Sequence, residues 1–133
     1  GSVVTWGYAQ SGGNSDAVRA QLTSGVRCVT SNDRAFAALK EEGLVVAWGR
    51  ESHGGNSDAV AAQLSSGVCH IAASFQAFAA LKEDGSVLTW GEDTKGGNSD
   101  AVAVQLSSGV RHVTGNYGAF AALKEDGSVV TWG

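Results

Sequence analysis

The 133-residue sequence carries a formal net charge of −4, 19 glycines and no proline or methionine. Its acidic balance, without any Lys/Arg cluster, argues against nucleic acid or an anionic membrane as partner, since both recruit basic patches. No apolar run approaches the roughly 20 residues of a membrane helix and no basic-then-apolar leader is visible, so one soluble domain over residues 1–133 is expected.

Gly1 to Gly7, GSVVTWG, opens the chain as a candidate strand, rich in β-branched residues and ending in Trp6. Trp48, Trp90 and Trp132 follow at intervals of 42 residues, and GGNSDAV (Gly12 to Val18, Gly54 to Val60, Gly96 to Val102) and AFAALK (Ala35 to Lys40, Ala77 to Lys82, Ala119 to Lys124) keep the same period. A strict period of this length indicates a propeller, solenoid or array. The repeats are counted as 1–42, 43–84 and 85–126, and residues 127–133 repeat GSVVTWG once more. That second copy reads either as a closure device or as the start of a further unit.

Ala77 to Lys82 reads as a strand, Glu83-Asp84-Gly85 as a turn, and Ser86 to Trp90 as the returning strand of a hairpin. Gly96 to Asp100 forms a loop. Ala101 to Leu106 fits a helical turn or two through Val102 and Leu106, or an extended connector. Ser107-Ser108-Gly109 breaks it, and Val110 to Thr114 resumes as a strand. Each unit thus has three clear strands and room for a fourth. The tryptophans, at the end of one strand in every unit, are assigned to the core.

The strand pair AFAALKEDGSVVTWG (Ala119 to Gly133), followed in the other copies by GG-x-S and V-x-x-QL-SSGV-x-x-V, resembles the repeat of the regulator of chromosome condensation family across all three copies. The resemblance implies an all-β fold of propeller blades, and a nucleotide-exchange or chromatin-binding module as one functional alternative. Three units of 42 residues are fewer and shorter than family repeats. Closing a propeller takes about four blades or more, so an open arc completed by oligomerisation is expected. A three-repeat β-trefoil, with a carbohydrate-binding lectin function, is the rival reading.

An enzyme breaks internal symmetry at one site, and this chain hardly breaks it, so no catalytic activity and no cofactor are expected. The acidic pairs Glu41-Glu42, Glu83-Asp84 and Glu125-Asp126 read as solvated turns, and Asn14, Asp16 and their copies as loop and cap residues. Cys28, His70 and His112 occupy equivalent positions and make a conditional Zn²⁺ set if a threefold closure brings them to one axis. Cys28 and Cys69 are one step out of phase, which argues against a disulfide, and two free thiols favour a reducing, cytoplasmic setting. The copies differ mainly in the loops after each Trp-Gly and before each AFAALK. Loops on a rigid scaffold carry recognition, so Phe75 and Tyr117 are the expected contact residues, with Arg34, Arg50, Glu51 and His53 as polar support. Self-association and a protein partner are the expected interactions.

Overall fold

A computed structural model describes residues 1–133. Nine strands form three separate antiparallel sheets. Blade 1 comprises β1 (Val26–Ser31), β2 (Ala35–Lys40) and β3 (Val45–Gly49); blade 2 comprises β4 (Val68–Ala73), β5 (Ala77–Lys82) and β6 (Val87–Gly91). Blade 3 comprises β7 (Val110–Gly115), β8 (Phe120–Lys124) and β9 (Val129–Trp132). Counting from Gly1 therefore starts the second and third sequence units on a strand that belongs to the preceding blade: β6 opens the unit 85–126 but completes the sheet of β4 and β5.

The middle strand is apolar on both sides because a blade sits on each side of it. In β5, Ala77, Ala79 and Leu81 join a cluster with Leu106 and with Val110, Val113, Phe120, Ala122 and Trp132 of blade 3. Phe78 and Ala80 point the opposite way, into a cluster with Ala35, Ala37, Leu39 and Val45 of blade 1. Alternation along one strand thus ties three blades together. The first strand of each blade carries a bulge, so that Val68 pairs with Lys82 and His70 with Leu81. The extra residue lets Val68 and Ile71, three apart, share one buried face.

Blades 1 and 3 share no core cluster, and the three sheets make an open arc of propeller blades. The β-trefoil reading is corrected by this arrangement: each hairpin packs blade against blade instead of closing around a common threefold barrel, and the lectin alternative that rested on it goes with it. No fourth strand forms. The segment after GGNSD winds into short 3-10 turns, Asp16–Leu22 in the first copy and Asp100–Val102 in the third, and its single buried residue is Leu22, Leu64 or Leu106.

Three of the four tryptophans are core residues. Trp48, Trp90 and Trp132 each stack on the phenylalanine opposite in their own blade, Phe36, Phe78 and Phe120, at 5.3 to 5.4 Å between ring centroids. Each indole N–H donates to the carbonyl of the glycine 36 residues earlier, Gly12, Gly54 or Gly96. Those glycines are required: Gly54 has φ +95°, and a Cβ there would lie 2.6 Å from the Phe78 ring. Trp6 departs from the expectation. It is 84% exposed, because no phenylalanine-bearing strand lies beside Gly1–Gly7.

Candidate functional site

The turns between the first and second strands of each blade and the loops after each third strand emerge at the same end of the sheets, as the bond from the Arg50 amide to the Arg34 carbonyl (2.8 Å) shows in blade 1. The Glu92 amide repeats it to Gln76 at 2.9 Å in blade 2. Both variable loop sets therefore share one rim.

Backbone bonds then join the turns from blade to blade. The Asp33 amide donates to the Phe75 carbonyl (3.2 Å), and the Phe75 amide donates to the Tyr117 carbonyl (3.0 Å). Each turn is braced locally as well. The Asn32 side-chain oxygen accepts from the Arg34 and Ala35 amides, and Asn116 accepts from Gly118 and Ala119. The Asn32 amide group donates to the His53 carbonyl at 2.7 Å, and the Ser74 hydroxyl to the Lys95 carbonyl at 2.6 Å. Sequence variation here rides on a fixed frame.

Phe75 and Tyr117 come together on that frame, with ring centroids 4.4 Å apart and planes 19° apart. The Lys95 ammonium lies 4.8 Å from the Tyr117 ring centre, a cation–π geometry. Phe75 is half-buried and Tyr117 is 64% exposed, so the stack presents one aromatic face to solvent. Arg34 is half-buried and pairs with Asp33 at 3.1 Å. His53 is buried, and its ring nitrogen Nδ1 lies 2.9 Å from the Ser52 hydroxyl. Burial first, and the Arg50 guanidinium second, hold its pKa below the ordinary histidine value. Its buried side chain leaves little surface for contact, while its backbone carbonyl takes the bond from Asn32. Arg50 and Glu51 line an open recess with Asn56 and Asp58, and neither ring of the aromatic stack is part of its lining. Lys95 was not singled out from sequence; its signal was membership of the variable loop Glu92 to Lys95.

The conditional Zn²⁺ set does not assemble. His70 and His112 stack at 5.6 Å with ring planes 30° apart, and no group of three His, Cys, Asp or Glu side chains converges anywhere in the chain. Equivalent positions on the first strands of an open arc follow one another blade by blade instead of meeting at an axis. Desolvation, then the His112 imidazole, lowers the His70 pKa, although one side of the residue remains open to solvent. Cys28 and Cys69 are both free, and the acidic turn pairs are exposed. No helix is long and apolar enough to cross a membrane.

Residues 68–96, which span blade 2 and the loop after it, match the model of the Regulator of chromosome condensation (RCC1) repeat. Among solved structures, the chain is similar to yeast RCC1 (Prp20) bound to Kap60, with 18% identity and a TM-score of 0.61 over 81% of this chain and 29% of that one. It is also similar to Prp20p from Saccharomyces cerevisiae, described with its binding properties to Gsp1p and histones (20% identity, TM-score 0.59, 81% and 30% covered). Human WBSCR16 matches with 20% identity and a TM-score of 0.60, covering 81% of this chain and 33% of that one. No curated protein sequence matches. The chain spans about a third of the length of these structures. Blade topology and structural likeness together show the fold, an open arc of β-propeller blades, and the likeness to the RCC1 repeat lies in residues 68–96.

Proposed function

We propose that the chain is a non-catalytic scaffold that binds a protein partner on the rim carrying Phe75 and Tyr117. The observation that carries this reading is the coupling of variable turns from three blades, through Asp33, Phe75 and Tyr117, into one braced surface on an otherwise repeated framework. An exposed, preorganised tyrosine backed by a second ring suits a contact hot spot, because little side-chain entropy is lost on binding. Structural neighbours that are described with protein partners, Kap60 for one and Gsp1p and histones for another, support a protein as the ligand class.

Affinity capture with the intact chain, with Tyr117→Ala, and with Glu83→Ala on the opposite rim tests the reading. A partner retained by the intact chain and Glu83→Ala but lost by Tyr117→Ala supports it. Loss with Glu83→Ala and retention with Tyr117→Ala overturns it.

Self-association through the two end faces is a second reading, supported by their exposure. Val29 on blade 1 is 43% exposed, where its counterparts Ile71 and Val113 are 4% and 1%. On blade 3, Val129 is 60% exposed, where Val45 is 6%. One face is what a blade offers to its predecessor, the other what it offers to its successor. They are complementary and heterologous. Sedimentation over a concentration series tests this, with association expected and a monomer at every concentration overturning it.

A further inference from the structure

His53 is the one ionisable side chain among the buried residues, at 8% exposure, and it lies in a loop instead of a strand. Ser11 and Lys95, at the equivalent positions of the other copies, are half-buried. The His53 amide donates to the Arg50 carbonyl at 3.0 Å, and its carbonyl takes the Asn32 side-chain amide at 2.7 Å. Asn32 in turn holds the Arg34 and Ala35 amides through its side-chain oxygen, at 3.0 and 2.9 Å. Between them, the Asp33 amide reaches the Phe75 carbonyl at 3.2 Å. A displacement of His53 therefore passes through Asn32 to the blade 1 turn, and through Asp33 to the aromatic stack.

The charged groups that face the imidazole are Arg50 of its own loop, Asp33 and Arg34 of the blade 1 turn, and Glu92 of the loop after blade 2. Burial and then Arg50 favour the neutral ring, with Arg34 acting the same way; Asp33 and Glu92 oppose them, and the balance keeps the pKa below 6.5. Swinging the loop into water relieves both the burial and the guanidinium repulsion. Proton uptake therefore favours the open loop as pH falls through the ordinary histidine range. The counterpart tie in blade 2, from the Ser74 hydroxyl to the Lys95 carbonyl at 2.6 Å, has a lysine in place of the histidine.

We propose that His53 is a proton-sensitive latch under the rim, whose protonation parts the loop Arg50–Gly54 from the turn Asn32–Ala35 and loosens that turn from Phe75. Acid then weakens partner binding, a consequence that rests on the rim being the partner surface as read above. The latch itself is read without a partner.

Amide-resolved hydrogen exchange of the intact chain and of His53→Gln, at about pH 7.5 and about pH 5 and corrected for intrinsic rates, tests it. In the intact chain the Arg34 and Ala35 amides should lose protection at the lower pH. The Phe75 amide, bonded to Tyr117 in the blade 2 turn, should keep its protection, which separates the latch from a general loosening of the fold. In His53→Gln the protection of Arg34 and Ala35 should not change with pH. If that variant does not fold, the ring signals of His53 in the intact chain supply the comparison, and the loss must follow their titration. Protection of Arg34 and Ala35 that is constant in the intact chain, that falls equally in His53→Gln, or that falls together with Phe75 overturns the latch and leaves the partner surface standing. A latch that opens as expected in a chain whose partner is indifferent to Tyr117→Ala overturns the partner surface alone.

Discussion

The Phe75 amide donates to the Tyr117 carbonyl at 3.0 Å while the two side chains stack at 4.4 Å, so one residue pair links blades 2 and 3 through backbone and side chain together. Removing either ring leaves the backbone bond in place. A double-mutant cycle with Phe75→Ala and Tyr117→Ala, followed by urea denaturation, should return a coupling of about 0.5–1.5 kcal/mol, the range of aromatic pairs. Coupling near zero would show that the rings are neighbours without being partners.

The tryptophans differ in cost despite their common sequence context. Trp90→Ala removes a buried ring stacked on Phe78 and its bond to the Gly54 carbonyl, and should destabilise the chain by about 3–5 kcal/mol. Trp6→Ala, at 84% exposure, should change stability by no more than about 0.5 kcal/mol at concentrations where the chain is monomeric. Denaturation midpoints of the two variants measure the contrast.

Gly54→Ala combines a positive φ of 95° with a Cβ placed 2.6 Å from the Phe78 ring, and should cost about 1–3 kcal/mol. Gly127→Ala also sits at positive φ, 87°, but meets no atom within 4 Å. It should cost only the backbone strain, about 1 kcal/mol. Thermal melting of both variants separates the clash from the strain.

Acid should weaken the fold in two stages. His53 and His70 have pKa values held below 6.5 in the folded chain, so as pH falls through 6.5 the unfolded chain takes up protons first. Stability is therefore complete above pH 6.5 and declines below it. Asp84 and Asp126 are lowered from 3.8 by hydrogen bonds from Ser86 and Ser128. Their contribution is present above 3.8 and is lost as pH falls through the folded values. Urea midpoints at pH 7.5 and 5.5 should differ for the intact chain, and the difference should shrink in His70→Asn.

Much of the blade was legible in the sequence because its signals are local. The AFAALK hairpin, its Asp-Gly turn and the strand ending in Trp-Gly are set by turn chemistry and alternation, and β5 with β6 follows them. The helical or extended reading of Ala101 to Leu106 stayed open for a physical reason. One buried leucine anchors a segment otherwise exposed or half-buried, so periodicity carries little information there. Loop variation pointed to Phe75 and Tyr117, but their stacking depends on a backbone bond between residues 42 apart, and the contribution of Lys95 on the Ser74 hydroxyl that holds its carbonyl from 21 residues away.

By itself the sequence determined the period, the hairpin that bridges each unit boundary and the positions free to vary, because these depend on residues close together in the chain. Only the tertiary structure decided which faces of the blades meet, and that Trp6 is exposed while Trp48, Trp90 and Trp132 are buried. The reason is that burial is a property of neighbours. Four identical Trp-Gly strand ends have one local preference, and the presence or absence of a phenylalanine-bearing strand alongside gives them different environments.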